Sequence, residues 1–572
     1  MVNRRSLLVG GACLICLQIA GACFPTSLTW GFHFLGFLPQ GFLLGYVALA
    51  LGGIYLVASD RWDRVLTSAA GWISQKPNVS LAFAVFVFVS FAIIFRVNAP
   101  LLGDSFVKIN NFTNTFLGVH PLSLGVEPLA MYYFYWIMSL LGTTTYPGVM
   151  NGFLVAELLL GIGFIINAGL IVKHLFKEEK IRPLAFLFLT MSPSLQLFFG
   201  YAEIYAVVLF LLSLNVLLII LAGKEKISAV IVMPAYTLLV LSHYLSLLLF
   251  PAFAYLLYKE YVRSGARTIL YGLLLSAGVG VLTALAIGIH RLVPPLDRSH
   301  FLSLAPVNDG YQAYTLFSPY HAIDLLNLGA LLFPAVLFVI YQVFAADKRA
   351  FWTSIQGKVF ILATVPILIF IPLAKFDLGM AKDWDVVAPY SFVISLAAWY
   401  WLDQVGNPRI LRTMGMLVIL LGLQSMLYFS LNATEEESAE RARTLLDKRL
   451  IAPDGFYQST FHLAMYFYEH READEMVTLW HDYIREFPRD ATGYRKLMQS
   501  YANYGERGYS KIDGTFEEWT KVDSTDPVPR KEHADFYASI GDTARAVQLY
   551  QQAARLGSES ARRQLVKVRK GW

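Results

Sequence analysis

Asp104, in the stretch Ala99-Pro100-Leu101-Leu102-Gly103-Asp104-Ser105, stands a few positions beyond an apolar run ending near Phe95. A carboxylate at the edge of hydrocarbon can take a proton from an incoming hydroxyl; it can equally end a membrane helix in solvent. A second concentration of polar groups, KFDLGMAKDWDVVA at 375–388, offers Lys375, Lys382, Asp383 and Asp385 around Trp384. Lysines neutralise phosphate as point charges, and a carboxylate pair can orient hydroxyls or hold a hard divalent cation. Two carboxylates without further defined ligands leave the metal unknown, so a divalent cation stays open as the one cofactor to test.

Arg291, Arg298, His321 and Asp324 occupy a third polar stretch. His321, Asp324 and Asn327 are spaced three apart, which on a helix keeps them near one face, where they can converge on a ligand. Capping and solvation at a membrane boundary is the alternative reading. Glu203, in Gly200-Tyr201-Ala202-Glu203, and His243, in Leu241-Ser242-His243-Tyr244, fall in tight turns between apolar segments, where an ionisable group is rare unless it faces a cavity or a partner. Glu157 lies inside an apolar segment and receives no role.

These residues are separated by long apolar blocks. The chain of 572 residues is 56% hydrophobic and 15% charged, with a mean hydropathy of +0.52. Thirteen segments, near 6–24, 41–58, 79–97, 148–172, 183–199, 201–222, 227–242, 244–258, 268–290, 323–345, 358–374, 388–403 and 410–431, approach the length that crosses a core of about 30 Å at about 1.5 Å per residue. The pairs 183–199 with 201–222 and 227–242 with 244–258 are short and closely coupled, which leaves tilted or re-entrant segments open there beside full spans. The expected fold is therefore all-α, a polytopic membrane bundle of about thirteen helices over residues 1–431. The net charge of +5 is small and dispersed over short connectors, which excludes nucleic acid as a partner. Cys13, Cys16 and Cys23 all lie in or beside the first segment, so the outer loops have no disulfide framework. Arg4 and Arg5 before that segment read as an uncleaved signal anchor with a cytoplasmic amino terminus.

Orientation rests on residues 129–141, LAMYYFYWIMSLL. If this short aromatic stretch lies along the outer surface, Lys173, Lys177, Lys180, Arg182 and the basic pairs of four later connectors all face the cytoplasm. The outward loops are then 98–147, 291–322 and 375–387, and the tail 432–572 is extracytoplasmic on a multi-pass cell (inner) membrane.

Gly103-Asp104 near the start of the first outward loop, with Glu127-Pro128-Leu129 leading into the aromatic surface helix, resembles the GT-C membrane glycosyltransferases. The pattern is similar to that of the protein O-mannosyltransferases and the bacterial aminoarabinose transferases, and the resemblance covers roughly residues 79–431. It implies a polyprenyl-phosphate-linked sugar donor held among membrane lipids, a protein, glycan or lipid acceptor, and Asp104 in the place of the family's essential loop acid. Arg291, Arg298, Lys375 and Lys382 would then meet the donor phosphate. Glu203, His243, His321, Asp324, Asp383 and Asp385 would shape the substrate cavity. Several members carry a second acid directly after the first, where this chain has Ser105.

The charged tail, 432–572, contains two similar stretches, EADEMVTLWHDYIREFPRD and DTARAVQLYQQAARLGSES, offset by 70 residues, about twice the tetratricopeptide period. A degenerate unit would lie between them around Phe516 to Pro527. Such helical hairpins stack and leave a concave face for a protein partner, with Tyr501, Tyr504 and Trp519 as candidate groove residues. Two other classes fit parts of the pattern. A polysaccharide polymerase or ligase of the Wzy type would use a larger outer loop built on arginine and histidine. A transporter or assembly scaffold would show internal symmetry, which residues 1–431 lack.

Overall fold

A computed structural model describes residues 4–288, 301–305, 314–333, 349–405 and 410–569. Arg291, Arg298 and part of the segment 323–345 lie outside the described residues. The chain divides into two units, 1–455 and 456–572.

In the first unit the described residues are helical, with one isolated bridge between Phe301 and Ala374. The helices used below are α1 (Arg4–Cys23), α2 (Gln40–Ala58), α3 (Arg61–Gln75), α4 (Pro77–Ile94), α5 (Ser105–Phe116), α6 (Pro128–Leu140), α7 (Tyr146–Leu175), α8 (Ile181–Thr190), α9 (Tyr205–Gly223), α10 (Val232–Ser242), α11 (Phe250–Ser264), α12 (Ala266–Ile287) and α13 (Pro319–Leu332). Among the described residues nine helices are long and apolar enough to cross a membrane, with three shorter apolar ones. They fall into two kinds. On α2, α4 and α12 large apolar side chains such as Leu44, Phe86 and Leu285 are exposed, a surface that suits hydrocarbon and not water. By contrast α7, α9 and the helices Trp384–Val405 and Ile410–Ala433 are largely enclosed and form the core.

Several of the thirteen expected segments are broken. Within 183–199, α8 stops at Thr190 and a 3₁₀ turn, Pro193–Phe198, follows, because Pro193 lacks the N–H a helix needs and constrains the residue before it. Within 227–242 only α10 is α-helical, preceded by a 3₁₀ turn at Ala229–Ile231. At thirteen residues α6 rises about 20 Å, short of the roughly 30 Å hydrocarbon core. It buries Met131, Phe134 and Met138 and turns Trp136 and Leu140 outward. α3 buries Trp62, Leu66 and Ala70, four apart, and leaves a polar opposite face, as an interfacial helix does.

Residues 432–455, expected with the tail, pack in the first unit instead. Helix Glu435–Thr444 buries Ser438, Ala439, Arg441 and Ala442. The Arg441 guanidinium lies 5.5 Å from both the Phe34 and Tyr428 rings, and its Nε donates to His33 Nε2 at 3.1 Å.

The second unit is a succession of helices, among them Ala473–Glu486, Ala491–Ala502, Tyr509–Val522, Pro527–Ser539, Thr543–Arg555 and Glu559–Arg569. The two similar stretches take corresponding positions. Met476 and Trp480 are buried in one, Ala546 and Tyr550 in the other, and Ile512, Phe516 and Trp519 fill the same role on Tyr509–Val522 between them. Two expected groove residues are core residues instead. Trp519 is buried and stacked on Tyr494 at 5.3 Å, and Tyr501 is buried with its hydroxyl 2.9 Å from His481 Nε2. A helix packed on both neighbours buries its aromatics before it can offer them to a ligand.

Candidate active site

Asp104 immediately precedes α5, and its side chain makes no capping bond there. It is exposed, whereas Glu127, Glu203 and Asp385 near it are buried and Asp383 is half-buried. Dense protein around it raises its proton affinity above the ordinary aspartate value, Lys108 pulls the other way, and Glu127 and Asp377 raise it further. One helical turn on, the Lys108 ammonium sits 2.7 Å from Glu127 Oε1. Burial opposes the lysine's charge, but Glu127, Glu203 and Asp104 outweigh it and hold the ammonium protonated. Burial likewise opposes ionisation of Glu127, and Lys108 reverses that, leaving its carboxyl below the usual range. Glu127 owes its place to Pro128, which opens α6 with the fixed φ that a first helical turn accepts.

Gly103 shows why three distant stretches meet here. Its φ of +57° is a conformation side-chain-bearing residues rarely adopt, and a Cβ on it would stand 2.6 Å from Asp385 Oδ2, 2.8 Å from Glu203 Oε1 and 2.9 Å from the Tyr201 hydroxyl. Its amide donates to the Lys382 carbonyl at 3.1 Å. The bare backbone thus lies against two carboxylates and a phenol contributed by the turn before α9 and by the loop 375–388. Tyr201 donates to Asp385 Oδ2 at 3.2 Å, and its ring packs against Trp384. Glu203 Oε1 is buried with no hydrogen-bond partner. Burial, then Asp385, push the Glu203 carboxyl well above its usual value, against Lys108, with Asp104 and Glu127 adding to the rise. Its surroundings therefore favour the protonated carboxyl more than water does.

His243 Nδ1 accepts from the Leu245 amide at 3.2 Å. Burial pushes the ring down to about 4 despite the attraction of Glu127, so it is neutral and carries its proton on Nε2. Asp383 is raised by burial and by Asp385 and Asp104, and its Oδ2 accepts from Leu378 N at 2.9 Å. Lys382 is buried; loss of hydration pushes it down to about 8, Asp383 pulling it up and Arg441 down.

Other expected site residues are elsewhere or otherwise engaged. Lys375 forms a half-exposed pair with Asp377 at 3.6 Å. His321, Asp324 and Asn327 do share one face of α13, but they converge on protein. Asp324 accepts from Trp30 Nε1 at 2.7 Å and from Tyr314 at 2.8 Å. His321 Nδ1 lies 3.0 Å from the Tyr314 hydroxyl and its Nε2 2.9 Å from the Pro372 carbonyl. Asn327 receives the Gly31 amide at 2.8 Å and donates to the Leu28 carbonyl. The group is a strut that fastens the 24–40 loop, with its buried Trp30, His33 and Phe34, to α13.

Lys108 and Tyr201 were not singled out from the sequence. Lys108 had a signal, since four residues after Asp104 on a helix it shares its face. Tyr201 had only its nearness to Glu203. No three His, Cys, Asp or Glu side chains among the described residues are placed to hold a metal. The Asp385 oxygens accept from Tyr201 and the Val386 amide, and Glu127 accepts from Lys108.

A polytopic helical bundle with a buried acidic cluster open at one carboxylate is thus the class of protein defined. The chain is similar in structure to ArnT from Cupriavidus metallidurans bound to undecaprenyl phosphate, at 11% identity over 65% of this chain and 80% of that one, with a TM-score of 0.42. It is also similar to the Archaeoglobus fulgidus oligosaccharyltransferase tethered with an acceptor peptide, at 13% identity over 69% of this chain, with a TM-score of 0.37. The chain spans 59% of that oligosaccharyltransferase. Both neighbours are GT-C type membrane glycosyltransferases, the type that the Asp104 loop resembles. No family model and no curated protein matches the sequence.

Proposed function

We propose that the chain is an integral membrane glycosyltransferase that moves a sugar from a polyprenyl-phosphate donor to an acceptor hydroxyl, with Asp104 as general base. The observation that carries the reading is the exposed Asp104 carboxylate, raised in proton affinity, beside the buried Glu127, Glu203 and Asp385. Asp104 takes the acceptor's hydroxyl proton as the acceptor oxygen attacks the anomeric carbon from the face opposite the phosphate. The bond between anomeric carbon and phosphate oxygen breaks, the polyprenyl phosphate leaves with the electron pair, and the sugar is inverted. Lys108, fixed by Glu127, keeps Asp104 ionisable despite its surroundings. Glu203 and neutral His243 make hydrogen bonds to sugar or acceptor hydroxyls, and Lys382 supplies positive charge for the leaving phosphate.

The distribution of lysine and arginine puts the reaction on the extracytoplasmic side, with 129–141 on the outer surface. The second unit is a tetratricopeptide-like stack that receives a protein partner. The test incubates purified protein with a panel of polyprenyl-phosphate sugars and measures release of the lipid phosphate, with Asp104→Asn alongside. No release from any donor by the wild type ends the transferase reading. Release that persists in Asp104→Asn ends the base assignment.

A further inference from the structure

Glu157 is fully buried in the middle of α7, a place where a carboxyl group is costly unless something needs it. Its Oε2 accepts from the Gly200 amide at 2.7 Å, and the next amide, that of Tyr201, turns to the same carboxyl. Its Oε1 has no partner. Gly200 has a φ of +76°, a left-handed corner at which the chain leaves the 3₁₀ turn Pro193–Phe198 and enters the segment Tyr201-Ala202-Glu203. The corner is pinned on its other side as well, where Val97 N donates to the Phe199 carbonyl at 2.9 Å. Immediately after it come the Tyr201 hydroxyl that holds Asp385 and the Glu203 carboxyl beside Gly103. The backbone amides of such a corner have no helical partner and cannot be left bare in a protein interior.

We propose that Glu157 is a positioning residue for the transfer site: as a hydrogen-bond acceptor it fixes the Gly200 corner and thereby sets where Tyr201 and Glu203 stand relative to Asp104 and Asp385. This assignment rests on reading Tyr201 and Glu203 as parts of that site. The function needs an acceptor oxygen and not an acid, because the partners are amides. Glutamine can therefore replace glutamate, whereas leucine, of similar bulk, cannot.

The test has two arms on the full-length protein. In the first, kcat and KM for the donor are measured for Glu157→Gln and Glu157→Leu. Glu157→Gln is expected within about twofold of wild type, and Glu157→Leu about 10- to 100-fold lower in kcat with little change in KM, the effect of misplaced groups around an intact binding region. In the second arm, hydrogen exchange of the peptide covering 199–204 is followed by mass spectrometry. Glu157→Leu is expected to lose protection there and Glu157→Gln to keep it. Gly200→Ala displaces the same corner through its positive φ and gives a second route should Glu157→Leu fail to accumulate. Wild-type kcat and wild-type exchange in Glu157→Leu, or in Gly200→Ala where Glu157→Leu fails to accumulate, overturn the assignment. So does a Glu157→Gln protein as slow as Glu157→Leu, which makes the acid proton itself the working part. If the wild type transfers no sugar, the proposed function falls, and the exchange arm alone decides whether Glu157 holds the corner.

Discussion

Two polar groups in the first unit look alike in the sequence and differ in the structure. The cluster around Asp104 gathers five acidic side chains, Asp104, Glu127, Glu203, Asp383 and Asp385, about one close ion pair, Lys108–Glu127. It leaves Glu203 Oε1 unpartnered and Asp104 open to solvent. The group on α13 brings together Asp324, His321, Asn327, Tyr314 and Trp30, and each carboxylate oxygen and ring nitrogen there has a partner at 2.7–3.0 Å. A polar group that satisfies itself stabilises a fold. One that retains strained charge and an idle oxygen has a capacity left for something else, which is why perturbed ionisable groups gather at functional sites. The difference is not burial, since both groups are mostly enclosed, but whether the hydrogen-bond capacity is used up.

That contrast can be broken most severely at Lys108. Lys108→Met leaves Glu127 buried without its cation, a loss of about 3–5 kcal/mol, to be seen as a large fall in thermal stability of the purified protein. Adding Glu127→Gln should recover much of it, and failure to recover would mean that Lys108 answers chiefly to Asp104 and Glu203. Next in size, Asp104→Asn should lower turnover at saturating donor by about 10²-fold or more while the melting temperature and donor binding stay near wild type. Tyr314→Phe is the mirror experiment. Taking the phenol from Asp324 and His321 should cost about 1–3 kcal/mol of stability, read as a drop in melting temperature, with turnover per folded molecule unchanged. A Tyr314→Phe protein of normal stability and low activity would turn the strut into part of the site.

The smallest effect concerns pH. Because burial pushes Lys382 down to about 8, with Arg441 beside it, its positive charge is complete below that pH and lost as pH rises through it. KM for the donor should therefore climb by a few-fold above about pH 8. Lys382→Arg, which stays charged, should flatten that climb. An unchanged alkaline profile in Lys382→Arg would remove Lys382 from the phosphate's surroundings.

Much of the architecture was legible residue by residue. Apolar runs of membrane length declare themselves because hydrocarbon sets a length and a composition, and both are written in one dimension. For the same reason the paired tail stretches at 472–490 and 542–560 announced stacked helices: Met476 and Trp480, like Ala546 and Tyr550, show the periodicity of one buried face. Asp104 was visible because a charge just past an apolar run is conspicuous. Where a proline or a 3₁₀ turn interrupts an apolar run, as at Pro193 in a segment short enough to be re-entrant, hydropathy alone does not locate the break.

What the sequence determined by itself is thus the class of solvent each stretch meets and the few charges out of keeping with it. Which charges share a site was decided by tertiary structure. Gly103, Glu203 and Asp385 are about a hundred or more residues apart in sequence and within ångströms in space, and only the packing of α5, α9 and the 384–405 helix could join them. The same packing turned His321 and Asp324 inward to Tyr314 and Trp30, and drew Arg441 out of the tail into the first unit. Periodicity reports the face of a helix, whereas long-range contacts decide what that face meets.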